Sequence, residues 1–461
     1  RSDFGRQVDL DVSTREKEFV AGLVPVSVLL DVSQWPAWRM GYQKYFGWNE
    51  GAKMDLITLF EQEVQQRFVY FKVPVIELLR DTPKEAVCQV FEKVNTGGVA
   101  LTVFELVTAT FAGDNFRLRE DWEARQARIE AYAVLKGFGE TEFLQGITLL
   151  ASYRRHAADI KAAVSCKRKD ILKLELEDYT ACAGDYEKGL YQAARLLHRL
   201  HVFRADDVPY RTQLIPLAAV CAQIGTAFDQ QTVRDKLAQW FWCGVFGELY
   251  GGTTETRFAL DMEHLCDWIL KDGGDPRSVT DASFQPQRLL SLQTRNSAAY
   301  KGMMALMVKK GSRDFISGDE IALVTGFQLD VDIHHIFPRA WCEKMGNLPR
   351  TQWNSIVNKA PLTARSNQKL GGDAPSKYLA RIVNGGSITT DKLEDVLESH
   401  FIDPEPLRAD DFGGFLRQRA VALLDAVEQA MGKPVLGRDA DATVGAVGGP
   451  LVHEPASMAT L

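Results

Sequence analysis

From Pro83 to about Arg295, apolar positions recur with the period of a helix packed on one face. Ala86, Val87, Val90, Phe91 and Val94 trace one such helix, which stops at Asn95-Thr96-Gly97-Gly98, where the glycines permit positive φ. The next helix starts at Thr102-Val103-Phe104-Glu105, a capping box whose hydroxyl and carboxylate satisfy orphan amides reciprocally. Longer amphipathic segments follow around 117–136, 140–165, 180–202, 209–226 and 230–250. The last holds Trp240, Phe241, Trp242 and Phe246, an aromatic cluster expected in the core. Phe415, Leu416, Arg419, Ala420, Leu423, Leu424 and Val427 trace a closing helix that ends at Gly432 and Pro434.

The two ends depart from this pattern. Residues 1–80 mix short β-branched stretches, such as Val24–Leu30 and Phe68–Phe71, with helical ones, which predicts an α/β piece. Residues 436–461 are rich in Gly and Ala with little apolar periodicity and are expected to form a mobile tail.

A chain of 461 residues exceeds one ordinary core, so two or three domains are expected. No apolar run approaches the roughly 18 residues of a membrane span, and no signal peptide opens the chain, so a cytoplasmic location is expected. Seven scattered cysteines without paired spacing read as reduced core thiols. The net charge of −7 argues against nucleic-acid binding by the whole surface. Residues 301–382, however, carry 12 Lys and Arg against 7 Asp and Glu, a local balance of +5 in an otherwise acidic chain. A polyanion would be met at one place.

Within that basic segment, Leu329-Asp330-Val331-Asp332-Ile333-His334-His335-Ile336-Phe337-Pro338 reads as a short strand ending in two histidines. Asn354, Asn358 and Asn367 follow, the last flanked by Arg365 and Lys369. The pattern resembles the ββα-metal finger of HNH endonucleases, shared by the RNA-guided CRISPR nuclease and colicin DNases. The resemblance implies that His335 is the general base, His334 and Asn367 are metal ligands, and Asn358 braces the loop. Such chemistry suits a phosphodiester: a divalent ion, Mg or Mn, neutralises the scissile phosphate while a neutral imidazole takes the proton of water. Arg365 and Lys369 are placed to hold neighbouring phosphates. Strand alternation puts Asp332 and His334 on one face and His335 on the other, so a bend is expected at the pair if both serve one phosphate. Asp332 is then either a further metal ligand or a group orienting His334. Cys342 with the two histidines lacks a fourth ligand at a spacing that suits structural zinc.

A second resemblance covers most of the chain. Phe91 to Leu106, with Val208-Pro209-Tyr210, Phe246 to Gly251, Thr254 to Arg257 and the closing helix, is similar to the GmrSD-type restriction family. That family joins a ParB/sulfiredoxin-like nucleotide-binding module to an HNH nuclease. The likeness implies a mainly α protein with α+β parts, divided into 1–112 (partial ParB/sulfiredoxin-like module), 113–295 (helical), 296–435 (HNH) and 436–461 (tail). Phe91, Asn95, Thr96, Gly97 and Gly98 would belong to the nucleotide pocket, for GTP or ATP in the complete architecture. The family's upstream Asp-Gly-Gln-Gln-Arg motif is not found, so the chain resembles a member lacking its first strand-helix unit.

The implied function is a metal-dependent DNA endonuclease acting on phage or modified DNA in restriction, alone, as a homo-oligomer or with partner defence proteins. The alternatives are a non-catalytic DNA-binding or interaction module, or a nucleotide hydrolase with an accessory finger.

Overall fold

The computed structural model describes residues 10–72, 75, 77, 90, 101–252, 254–322, 331–386 and 388–453. Of the helix expected at 86–94 only Val90, which is helical, is described; the nucleotide-pocket residues Phe91, Asn95, Thr96, Gly97 and Gly98 lie outside the described residues, as do Leu329 and Asp330. The chain divides into two units, Arg1–Thr82 and Pro83–Leu461.

The described part of the first unit is helical: α1 (Arg15–Ala21), α2 (Val26–Leu30), α3 (Gln34–Tyr45) and α4 (Gly51–Phe60). Its core is built on α3, where Trp35, Trp38 and Tyr42 fall on one helical face. Trp38 and Tyr42 each meet the Phe19 ring of α1 edge-on. The α/β expectation for this segment is therefore corrected among the described residues. Val28 and Leu29 are both buried while Val26 and Leu30 are exposed, a pattern that a helical turn accommodates and strand alternation does not. Phe68 and Val69 close a further helical turn, Gln66–Val69.

The second unit opens on α5 (Val103–Ala112), started by the Thr102–Glu105 capping box with both reciprocal bonds formed. There follow α6 (Leu118–Ile129), α7 (Glu140–Ala158), α8 (Leu176–Arg199), α9 (Leu214–Ile224), α10 (Gln231–Phe246), α11 (Glu255–Leu270) and α12 (Ala298–Lys309). Gly189 lets α8 press against α9, for a Cβ there would stand 2.1 Å from Ala218 O. Trp240, Phe241, Trp242 and Phe246 of α10 are buried as expected. The six described cysteines are unpaired and buried.

Next come β1 (Val331–His335), α13 (Arg339–Met345), β2 (Lys359–Thr363) and α14 (Ala364–Leu370). The chain then forms α15 (Pro375–Asn384), α16 (Thr390–Glu398), α17 (Phe412–Met431) and α18 (Asp441–Val447). The protein is thus mainly α, and β1 and β2 make the one sheet among the described residues, antiparallel with Val331 opposite Thr363 and His335 opposite Lys359.

A single hydrophobic cluster runs from Val103 to Leu451, so the borders expected at 112 and 295 fall inside one packed unit. The mobile tail is also corrected as far as residue 453. Thr443, Val447 and Leu451 are buried, Gln287 donates to Thr443 Oγ1 at 2.9 Å and Gln352 to Ala446 O at 2.9 Å. Two apolar anchors and bonds from distant side chains hold the segment, a signal too sparse to register as periodicity. No described helix is long and apolar enough to cross a membrane.

Candidate functional site

The sheet is held in place by buried side chains that bond the backbone around it. Asn358, fully buried just before β2, accepts from Phe337 N at 2.8 Å and donates to Phe337 O and Trp353 O at 2.9 and 2.8 Å. It thereby clamps the chain leaving β1 to the chain entering β2. Tyr378 of α15 donates to Ile336 O at 2.8 Å. Arg419 of α17, fully buried, donates to Val357 O and His400 O, and burial lowers its guanidinium pKa to about 9.

Asp314 performs the same office for α14. Its carboxylate accepts from Thr363 N and Oγ1 at 2.9 and 2.8 Å and from Ser366 Oγ at 2.6 Å. A carboxylate at a helix start also opposes the positive end of the helix dipole.

On one face of β1 stand Asp332 and His334, and the first turn of α14 brings Asn367 to them. Asn367 Oδ1 lies 2.9 Å from His334 Nδ1, and Asn367 Nδ2 donates to Asp332 Oδ2 at 2.6 Å. With the amide nitrogen committed to the carboxylate, Oδ1 accepts and His334 Nδ1 carries the proton. His334 Nε2 is buried with no partner among the described residues. Burial lowers the pKa of His334 to about 4, so the ring is neutral at pH 7.

His335 projects from the other face. Its Nε2 lies 3.1 Å from Asn354 Oδ1, and its ring packs near Trp353 at 6.2 Å. Half-burial, assisted by the nearby Lys359 and Arg339 charges, moves its pKa below the usual value. The bend expected at the histidine pair is absent: pairing with β2 stays regular through both residues. A phosphate reached by both rings must therefore lie across the end of β1. Lys359, opposite His335, donates to Gln293 O at 2.6 Å, and burial lowers its pKa to about 8.

Asp332, His334 and Asn367 together supply a carboxylate, an imidazole and an amide carbonyl. Two cis ligands of an octahedral ion, each bound at about 2.1 Å, stand about 3 Å apart. The 2.9 Å between His334 Nδ1 and Asn367 Oδ1 matches that separation, so the residues fit a divalent ion in the other His334 tautomer, with the proton moved to the unpartnered Nε2 and the Nδ1 lone pair free. Among the described residues no group of three or more His, Cys, Asp or Glu gathers as a metal site, here or elsewhere, so the amide of Asn367 is needed as the third donor.

Arg365 and Lys369 are exposed and one helical turn apart on α14. Arg295 brings its guanidinium to 4.0 Å from Asp332.

Of the residues singled out in the sequence, Asp332, His334 and Asn367 meet in one hydrogen-bonded cluster, Asn358 lies behind it, and His335 points away from it. Asp314, Tyr378, Arg419 and Arg295 were not singled out as site residues, and Asn354 was noted without a role. A lone Asp or Arg far along the chain has no local pattern to mark it, whereas Asn354 lies four residues before Asn358.

Comparison with known proteins adds one relative. The chain is 25% identical over 378 residues to Uncharacterized protein MJ0686 of Methanocaldococcus jannaschii, a match covering 75% of this chain and 60% of that protein. No family model matches.

Proposed function

We propose that this chain is a metal-dependent DNA endonuclease of the HNH type. The observation that carries the reading is the convergence of Asp332, His334 and Asn367, the last 35 residues beyond the first, on one face of a strand-strand-helix unit. In this reading Asp332, His334 and Asn367 hold the divalent ion. When bound, that ion neutralises phosphate charge and stabilises the leaving oxygen. His335, neutral at pH 7, takes the proton of the attacking water through Nδ1, the ring nitrogen opposite its Asn354 bond. Asn358 fixes the turn that follows β1, and Arg365 and Lys369 meet flanking phosphates.

The restriction setting, with phage or modified DNA as target, rests on the GmrSD-like motifs and their order along the chain. Any nucleotide gating falls to residues 91–98, outside the described part.

The test is supercoiled plasmid, modified and unmodified, incubated with the protein and Mg²⁺ or Mn²⁺, with and without GTP or ATP. Nicked or linear product is expected, and His335→Ala should lose about 10²–10⁴ in rate while still binding DNA. Parental cutting by that variant overturns the assignment of the base. DNA binding without cleavage under every condition would make the module a clamp instead.

A further inference from the structure

Two clefts open on the second unit away from Arg365 and Lys369, and they share a wall. The first, of about 390 Å³, is lined by Arg204, Arg295, Lys301 and Tyr300 and reaches Ile333 and Pro361 of the sheet. The second, of about 850 Å³, is lined by Tyr132, Lys136, Arg195, His198 and Arg211. Phe203, Arg204 and Asp206 line both, so the two clefts adjoin across the loop that carries these residues, and the pair is termed the trough.

The trough has six cations, Lys136, Arg195, Arg204, Arg211, Arg295 and Lys301, against two carboxylates, Asp206 and Asp207. Asp229 and Asp332 stand 3.8 and 4.0 Å from Arg195 and Arg295, just outside the lining, so the local excess is two positive charges in a chain of net charge −7. Asp207 is already engaged by Arg204 at 3.4 Å, and Arg211 donates to Lys136 O rather than to an acid. Arg195 faces Asp229 at 3.8 Å, but both are exposed, and such a pair contributes little.

Aromatic rings punctuate the cations. Tyr132, stacked on Tyr191 at 5.0 Å, keeps 38% of its surface exposed. Phe203 stands in the dividing loop with His198 at 4.8 Å and His201 at 5.7 Å.

We infer that this trough binds a single strand of nucleic acid and leads it to the candidate cleavage site. Rings set among cations serve a strand whose bases are unpaired, because each base then offers a face to stack; a duplex keeps those faces covered. The trough ends where the site begins. Ile333 and its strand partner Pro361 line the cleft on the face of the sheet that carries His335, and Arg295 lines it while approaching Asp332 at 4.0 Å. That the strand is DNA rests on the nuclease reading; the trough itself does not.

The experiment measures binding of labelled oligo-dT, oligo-U and a hairpin duplex to the full chain in EDTA, where no cutting occurs, as a function of salt. Tight oligo-dT binding is expected, with duplex and anionic vesicles competing poorly. Lys136→Glu with Arg195→Glu should lower the slope of log affinity against log salt by about 0.7 for each phosphate that is no longer neutralised. Tyr132→Ala should weaken binding about tenfold with the salt slope unchanged. Oligo-U binding as well as oligo-dT retains the trough and removes DNA as its particular ligand. Parental affinity in both variants, or displacement by duplex as effective as by oligo-dT, overturns the inference. Absence of plasmid cleavage, with this binding intact, would count against the nuclease reading alone.

Discussion

The Oδ1 of Asn354 lies 3.1 Å from Nε2 of His335, while Asn354 Nδ2 donates to Gln293 Oε1 at 3.3 Å. With the amide held that way round, Oδ1 is an acceptor and His335 Nε2 carries the proton. The lone pair is left on Nδ1. Asn354 is therefore a positioning residue that sets the tautomer of the base.

Two substitutions separate that role from mere packing. Asn354→Ala should lower the cleavage rate roughly ten- to a hundredfold, as loss of other orienting partners does. Asn354→Asp should act through charge. A carboxylate beside the ring favours imidazolium, so the His335 pKa rises, and the base is now protonated at pH values where the parent is active. The acidic limb of the pH–rate profile should move to higher pH. An unmoved limb would show that Asn354 does not govern the ring.

Asn358 should matter to stability before it matters to rate. Its side chain makes three bonds to the backbone of Phe337 and Trp353 from a fully buried position. Asn358→Ala strands those groups away from water, at a cost on the order of 3 kcal/mol. Urea unfolding should show a lower midpoint with little change in slope. A midpoint like the parent's would mean that water replaces the amide.

Burial of neutral histidines makes the fold sensitive to acid. His334 and His400 are buried, and burial lowers their pKa values to about 4 and about 3, below the unfolded value near 6.5. Below pH 6.5 the unfolded chain takes up protons that the folded chain refuses. Stability is then complete above about pH 6.5 and falls with acid until the folded pKa is reached, by up to about 1.4 kcal/mol per pH unit for each histidine. His400→Gln should flatten that fall even if it lowers stability at pH 7. Equal slopes in parent and variant, measured by denaturant unfolding from pH 7 to pH 5, would remove His400 as a cause.

The helices and the site differ in how far they were legible in the sequence. Long segments with a regular apolar face, such as α8 and α10, sit within a few residues of where periodicity places them, because packing on one face is what that periodicity encodes. Val24–Leu30 misled, since a run of seven residues gives too little length for the two periods to diverge, and its last five form a helical turn. The face assignment of Asp332 and His334 against His335 followed from strand alternation and is what the register shows. The braces were not legible: Asp314 reaches Thr363 across 49 residues, and Arg419 reaches Val357 across 62. Such bonds are set by the closure of the whole unit and leave no mark in local spacing.

The donor set makes a prediction about the ion itself. Imidazole suits zinc, copper and nickel and is poorest for magnesium, which wants oxygen donors and gives up its waters reluctantly; manganese, the first of the transition ions, lies between. Here one of the three donors is the His334 ring, already neutral at pH 7, so binding needs only a shift of its proton from Nδ1 to Nε2 and no net loss of a proton. Calorimetry should therefore find Mn²⁺ bound more tightly than Mg²⁺. His334→Ala and Asn367→Ala should each weaken Mn²⁺, with cleavage partly restored at high Mn²⁺. His334→Asp replaces nitrogen by a carboxylate and should narrow the gap between the two ions in favour of Mg²⁺. Unchanged affinities in all three variants would place the ion elsewhere, and an unchanged Mn²⁺ to Mg²⁺ ratio in His334→Asp would show that this ring does not select it.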